Sequence, residues 1–347
     1  MENSPPIDRI SNLPDELLSR ILSFLPTKLA FTTTLLSKRW IPLFKFLTSV
    51  HFDDKSIRDE DSFLHLCRWF ETIKRHPVEN LQIHISHIPL PPTIFIFPNL
   101  VLLELSFVDV TGNISVHLPS LKTLRLYAVQ FKSKRNFNNL VSGCPVLEHL
   151  LAPHVYYTEQ VEGSITVSIE EEFKSLSKLT TADINAFDVP FGAISNVKIL
   201  RFWMMKRLQE INSYYGDFPV FQNLINLNIG FSKFHHWDDV VGVLQCCPKL
   251  QIFSIFKVAI NKHLFINWKY PDYIPDCISY HLRSCTINYE GFEYELQFTK
   301  YILQNASLLQ VMKINICHSL YQKPNLHPLE ELSSCPMISP QCKLSIG

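Results

Sequence analysis

Phe97 to Val108 reads FPNLVLLELSFV, and Leu118 to Val129 reads LPSLKTLRLYAV. Leu100, Leu103, Leu105 and Val108 in the first stretch stand at the same relative positions as Leu121, Leu124, Leu126 and Val129 in the second. The step of two between paired leucines is the period of a strand that buries one face. The proline just ahead of each strand turns the chain into it, a position that needs no ladder donor.

Outward from these two stretches the template repeats. Upstream it is met by Val78, Leu81 and Ile83; downstream by Leu147, Leu150, Ala152 and Val155, and by Leu179, Ala182, Ile184 and Phe187. Val197, Leu200, Phe202 and Met205 follow, then Leu224, Leu227 and Ile229, then Leu250, Phe253, Ile255 and Val258. Successive starts lie 22, 21, 26, 32, 18, 27 and 26 residues apart. That spacing brackets the leucine-rich-repeat period of roughly 20 to 29 residues, with some insertion. GCPVL at Gly143 and CCPKL at Cys246 open further units with the same proline phrase. The spacing predicts an α/β fold in which residues 77–265 form an irregular leucine-rich-repeat solenoid, one strand per unit. Strands of a sandwich would alternate in the same way but would not recur at this spacing. Glu104, Arg125, His149, Asp183, Arg201, Asn228 and Ser254, interleaved with the buried positions, are expected on the concave sheet as a candidate substrate face.

The N-terminal segment has a different period. In NLPDELLSRILSFLP, Asn12 to Pro26, the residues Leu13, Leu17, Leu18, Ile21, Leu22 and Leu25 form a helical stripe. Asn12 is placed to cap this helix, Pro14 to sit in its first turn, Asp15 and Glu16 to favour its positive end, and Pro26 to stop it. A second helix is expected from Thr27 to Leu36, and a third carrying Ser37, Lys38, Arg39, Trp40, Leu43, Phe44 and Leu47. Three helices in so short a stretch cannot bury all these leucines among themselves, so the segment calls for a docking partner or for packing on the rest of the chain.

Beyond Trp268 the strand pattern continues in Leu282, Cys285 and Ile287. An amphipathic helix is expected over Tyr294–Gln304, then a strand with Leu309, Met312 and Ile314. An atypical last unit is what the exposed end of a solenoid requires.

Composition excludes several function classes. The 347 residues are 46% hydrophobic and carry 32 Lys and Arg against 32 Asp and Glu, so no net field draws the chain to nucleic acid or to an anionic membrane. The start MENSPPIDRI has no signal-peptide pattern, and the uncharged run His87–Leu103 is broken by Pro89, Pro91, Pro92 and Pro98, so no membrane span is expected. Nine cysteines without a CxxC pair fit reduced thiols in cytoplasm or nucleus. The closest glycines, Gly230 and Gly242, are too far apart for a phosphate-cradling loop. Neither GxSxG nor HExxH occurs. His84 with His87, and His235 and His236 beside Asp238 and Asp239, read as surface or core residues, not metal ligands. Lys132, Lys134 and Arg135 read as a solvated basic loop. No catalytic set, metal or cofactor is expected.

Two segments carry a resemblance. DRISNLPDELLSRILSFLPTKLAFTTTLLSKRW, Asp8 to Trp40, resembles the F-box of plant F-box proteins through LPDELL, ILSFLPTK and LSKRW in order. The C-terminal block resembles the FBD domain found at the end of many such proteins. Pro275, His281, Leu282, Gly291, Glu295 and Leu296, the run TKYILQNASLLQVM, and the ending ELSSCPMISPQCKL carry that likeness. The resemblance implies that Leu13, Pro14, Leu17, Ile21, Leu25 and Pro26, with Leu36, Ser37 and Trp40, meet a Skp-family adaptor and through it a cullin. It implies a disordered tail (1–8), a three-helix F-box (9–50), a linker (51–76), the repeats, and an FBD-type cap (266–347). It further implies a non-catalytic substrate-recognition subunit of a ubiquitin ligase that holds a protein target. A hormone receptor, marked by an enclosed pocket on the concave face, and a leucine-rich scaffold outside any ligase are the alternatives. The short stretch from Asp54 to Val78 departs from the family, whose members usually carry more there.

Overall fold

The computed structural model describes residues 10, 12–25, 29–30, 33, 36–40, 43, 48–53, 71, 77–85, 89–159, 173, 175–186, 188–204, 218–231, 237–257, 268, 270–289, 293–316, 332 and 334–347. The chain forms two units, 1–147 with 154–170, and 148–153 with 171–347.

In the first unit, helix α1 (Asp15–Ser23) precedes strands β1 (Ser49–Asp53), β2 (Asn80–His84), β3 (Leu102–Ser106), β4 (Asp109–Val110) and β5 (Thr123–Phe131). The strands pair in parallel, so that Val50, Leu81, Leu103 and Leu124 lie side by side, as do Phe52, Ile83, Leu105 and Leu126. One template position thus becomes one row of inward side chains, all buried but for the half-buried Phe52. The three-residue step to Val108 and Val129 breaks the period of two, and the backbone shows why. Phe107 (φ 57°) and Ala128 (φ 52°) take the left-handed conformation at equivalent points of consecutive units, which turns the next residue inward. Each costs about 1–2 kcal/mol for a residue with a Cβ, and Val108 and Val129 are fully buried in return.

In the second unit the first residues of β6 (His149–Tyr157) pair with β7 (Thr181–Asn185). β8 (Ile199–Met204), β9 (Asn226–Phe231), β10 (Ile252–Lys257), β11 (Ser284–Tyr289), β12 (Val311–Ile316) and β13 (Lys343–Ile346) follow in chain order, again parallel. Leu150, Ala182, Leu200, Leu227, Phe253, Cys285, Met312 and Leu344 form a single row across these strands.

The proline phrases are β-turns. The N–H groups of Leu100, Leu121, Leu147 and Leu250 donate to the carbonyls of Phe97, Leu118, Cys144 and Cys247, three residues back. Pro98, Pro119, Pro145 and Pro248 therefore occupy the second turn position, where a φ locked near −65° is already correct. Helices α2 (Lys134–Ser142), α3 (Trp237–Gln245), α4 (Asp276–Tyr280) and α5 (Glu293–Asn305) form return legs between parallel strands, as do short 3-10 turns at Pro92–Phe95 and Phe191–Ile194. Trp237 of α3 stacks on Phe298 of α5 with ring centres 4.0 Å apart, and Trp268 and Tyr301 close around Phe298.

Three expectations are corrected. The first helix begins at Asp15, not Asn12, with Pro14 as its cap at ψ 152°. It ends at Ser23, before Pro26, because a residue that precedes proline is pushed out of the helical region. The C-terminal helix is longer than expected by a residue at each end. Of the second and third N-terminal helices, Leu29, Ala30, Trp40 and Leu43 are helical, while Phe44 and Leu47 lie outside the described residues. The repeat positions Phe187, Met205 and Val258 also lie outside them. Among the described residues no helix is long and apolar enough to cross a membrane.

Candidate interaction surfaces

Helix α1 divides its wide apolar stripe between two faces. Leu18 and Leu22 are fully buried with Ala30, Trp40 and Leu43, and Leu13 and Leu25 pack against that core. Leu17 and Ile21, one residue earlier in each turn, remain 46% and 41% exposed, and Phe24, Leu29 and Leu36 are more exposed still. The core is closed by a distant contact that the sequence did not reveal. Arg39 donates through Nε (2.9 Å) and Nη2 (2.6 Å) to Asp15 Oδ1, and through Nη2 to the Leu13 carbonyl (2.6 Å). This exposed ion pair contributes at most about 1 kcal/mol, but it clasps the start of α1 to the segment carrying Trp40.

The nine residues expected to meet an adaptor therefore separate. Pro14, Leu17, Ile21, Leu36 and Ser37 are exposed, Leu13 and Leu25 are half-buried, and Pro26 lies outside the described residues. Trp40 lies apart from these, its side chain buried in the segment's own core with Leu18 and Leu22.

On the first unit's sheet, Glu104 and Arg125 are register neighbours, and Arg125 Nη1 donates to Glu104 Oε2 at 3.2 Å. On the second, Asp183, Arg201, Asn228 and Ser254 form one outward row that continues into Thr286 and Lys313. His149 does not belong to it. It pairs with Thr181, one outward position earlier, and Leu151 stands beside Asp183. The next outward row holds Trp203, Gly230 and Phe256. Gly230 has no side chain, so the rings from the flanking strands meet over it edge to face, with centres 4.8 Å apart. The Arg201 guanidinium lies 4.9 Å from the centre of the Phe256 ring, and its Nη1 is 3.8 Å from Asp183 Oδ2. The sequence reading passed over this aromatic pair. Continuing the outward alternation by one more step from Arg201 and Ser254 reaches both rings.

His84, weighed above as a ligand, packs edge to face on Phe107; His87, His235 and His236 lie outside the described residues. Asp238 accepts from Trp268 Nε1 at 3.2 Å. Among the described residues no group of three or more His, Cys, Asp or Glu could hold a metal ion. Burial pushes the thiols of Cys144 and Cys277 up to about 12, and raises those of Cys247 and Cys285 as well. Such thiols are core groups and poor nucleophiles.

Residues 10–46 match the family model of the F-box domain, and residues 270–314 that of the FBD. Residues 66–167 match a model described as FBD-associated F-box protein At5g56370, LRR repeats. In Arabidopsis thaliana the FBD-associated F-box protein At3g50710 is 28% identical, over 97% of this chain and 99% of the relative. The F-box/FBD/LRR-repeat protein At4g00160 is 26% identical, over 87% of this chain and 85% of its own. A second protein of that description, At4g26340, is 26% identical over 97% and 99%. With these three matches in order along one chain, and relatives of the same make-up aligned over nearly all of it, this protein is similar along its length to the plant F-box proteins that carry leucine-rich repeats and an FBD domain.

Proposed function

We propose that this chain is the substrate-recognition subunit of a Skp-cullin-F-box ubiquitin ligase, and that it performs no chemistry itself. Residues 9–50 form a three-helix F-box that docks on a Skp-family adaptor and through it on a cullin. Residues 1–8 are a disordered tail and residues 51–76 a linker. Residues 77–265 are leucine-rich repeats of the solenoid kind, followed by the FBD-type capping region 266–347, and outward residues of the repeats hold a protein target. The ligase's other subunits then transfer ubiquitin to a target held nearby, so this chain contributes proximity. The complex works in the cytoplasm or the nucleus.

The observation that carries this reading is the divided stripe of α1. Leu18 and Leu22 already have a core, so folding does not account for Leu17, Ile21, Phe24, Leu29 and Leu36 on the surface. A row of apolar residues at helical spacing is what a partner helix covers. Leu13, Pro14, Leu25, Pro26 and Ser37 border that contact, and Trp40 supports it from beneath.

The test is calorimetric titration of the full chain with a plant Skp-family adaptor, beside a Leu17→Asp, Ile21→Asp variant. Both sites are half exposed in the free chain, so the variant keeps its far-UV circular dichroism. Two carboxylates forced into an apolar contact weaken binding by roughly a hundredfold or more. Equal binding by the two proteins, or none by the unaltered chain, refutes the proposal.

A further inference from the structure

The chain is neutral overall, but the outward sheet face of the second unit is not. Its three outward rows carry the cations Arg201, Lys313 and Lys343 against a single acid, Asp183, which Arg201 approaches. Lys313 and Lys343 are exposed on neighbouring strands, β12 and β13. Apolar residues stand among them. Ile199, Ile252 and Val311 occupy one row and are exposed, in company with Asn226 and Ser284. The partly exposed Trp203 and Phe256 stand beyond Arg201. On the first unit the corresponding row is charge-balanced by the Glu104 and Arg125 pair.

We infer that this face binds an extended acidic segment of a protein partner, one that carries an aliphatic or aromatic side chain among its carboxylates. The two lysines and Arg201 receive the carboxylates, and the apolar side chain rests against Trp203 and Phe256. Arg and Trp at the centre of a contact, with exposed aliphatics around them, are the composition of interfaces whose energy resides in a few residues. The like sign of the cations excludes basic segments at the encounter stage. A phosphate backbone is the weaker match, because it would leave the exposed isoleucines and Val311 against charge. The inference rests on the proposed capture of a target by the repeats and specifies that target's chemistry.

The test pans a displayed library of random dodecapeptides on the full chain, then measures each selected peptide by fluorescence anisotropy. It compares the unaltered chain, a Lys313→Glu, Lys343→Glu variant and a Trp203→Ala variant, each checked by circular dichroism. Expected are peptides enriched in Asp and Glu around a large apolar residue. Their affinity falls about tenfold or more in the charge-reversed variant and in Trp203→Ala, and weakens as salt is raised. Neutral or basic peptides that still depend on Trp203 overturn the acidic inference and leave target capture by this face standing. Selected peptides indifferent to all three substitutions overturn both. A library that yields nothing above background overturns the inference, and displacement of the peptides by a single-stranded oligonucleotide overturns it in favour of a nucleic-acid site.

Discussion

Gly230→Ala puts the packing of the outward aromatic pair under direct strain. A Cβ built on Gly230 falls 2.7 Å from Trp203 Cζ3 and 2.8 Å from Phe256 Cε2, and still nearer Trp203 Cε3. Both rings reach the surface, so they can swing outward and spare the strand. The swing forfeits the edge-to-face contact, about 0.5–1.5 kcal/mol, and the stacking of Arg201 on Phe256, about 0.5–1 kcal/mol at an exposed site. Against this, Ala in place of Gly in a strand contributes about 0.5–1 kcal/mol by restricting the unfolded chain. The substitution should therefore destabilise by about 0.5–1.5 kcal/mol. In a Trp203→Ala background the nearer obstacle and the edge-to-face contact are already gone, so only the shift of Phe256 and its stacking with Arg201, about 0.5–1 kcal/mol, opposes the entropic gain, and the net effect falls to near zero. Urea unfolding of the four proteins, followed by far-UV circular dichroism, gives a double-mutant cycle with a coupling of about 0.5–1.5 kcal/mol, the edge-to-face contact that only the unaltered background can lose. Equal effects of Gly230→Ala in both backgrounds would show that the two rings do not rely on the missing side chain.

Leu18→Ala should destabilise the N-terminal segment by about 2–5 kcal/mol, as a buried leucine does, while Leu17→Ala costs under about 1 kcal/mol; proteolysis of the segment in the free chain separates them. Gly143→Ala drives its new methyl into Val116, whose Cβ would lie 2.7 Å away, and a β-branched side chain cannot rotate aside; thermal melting should show a loss of about 1–3 kcal/mol. Burial raises Cys144 and Cys277 from 9.0 to about 12, and Tyr289 and Tyr301 from 10.0 to about 12. The folded chain holds protons that the unfolded chain releases first, so this stability is complete below about pH 9 and is lost as the pH rises from 9 toward 12. Denaturation at stepped alkaline pH checks that slope, and a midpoint unchanged between pH 8.5 and 11 would refute it.

The strand rows were legible because one residue pattern recurs at one spacing, and parallel pairing converts sequence offsets into register. Leu103 and Leu124, or Leu227 and Phe253, needed no tertiary information to be placed together. His149 stands at an outward position one step before the row of Asp183, where its strand presents Leu151, an apolar residue that does not look like a surface position. The two faces of α1 were not separable from periodicity. Six apolar residues within thirteen cover most of a helix's circumference, and the inner side is decided by Trp40 and Leu43, which come from elsewhere in the fold. The link from Arg39 to Asp15 was invisible for the same reason: two charges on distant segments carry no mutual pattern.

The aromatic platform was the hardest to read, and its origin explains where recognition chemistry accumulates in such a chain. Folding constrains the inward positions, whose leucines must stack row upon row, and leaves the outward positions almost free. A recognition surface therefore assembles across strands. Its members lie one repeat apart in sequence and two residues apart within a strand, a spacing at which no local motif exists. Asp183, Arg201 and Asn228 are adjacent in space because three units share a register. Trp203 and Phe256 meet because the unit between them contributes only a glycine at that position. A single insertion within a return leg leaves this arrangement intact, whereas a one-residue slip within a strand would exchange the inward and outward sets and destroy it. The unequal repeat lengths are thus compatible with a specific face: variation is absorbed between strands, and the outward rows are held by the leucines beneath them.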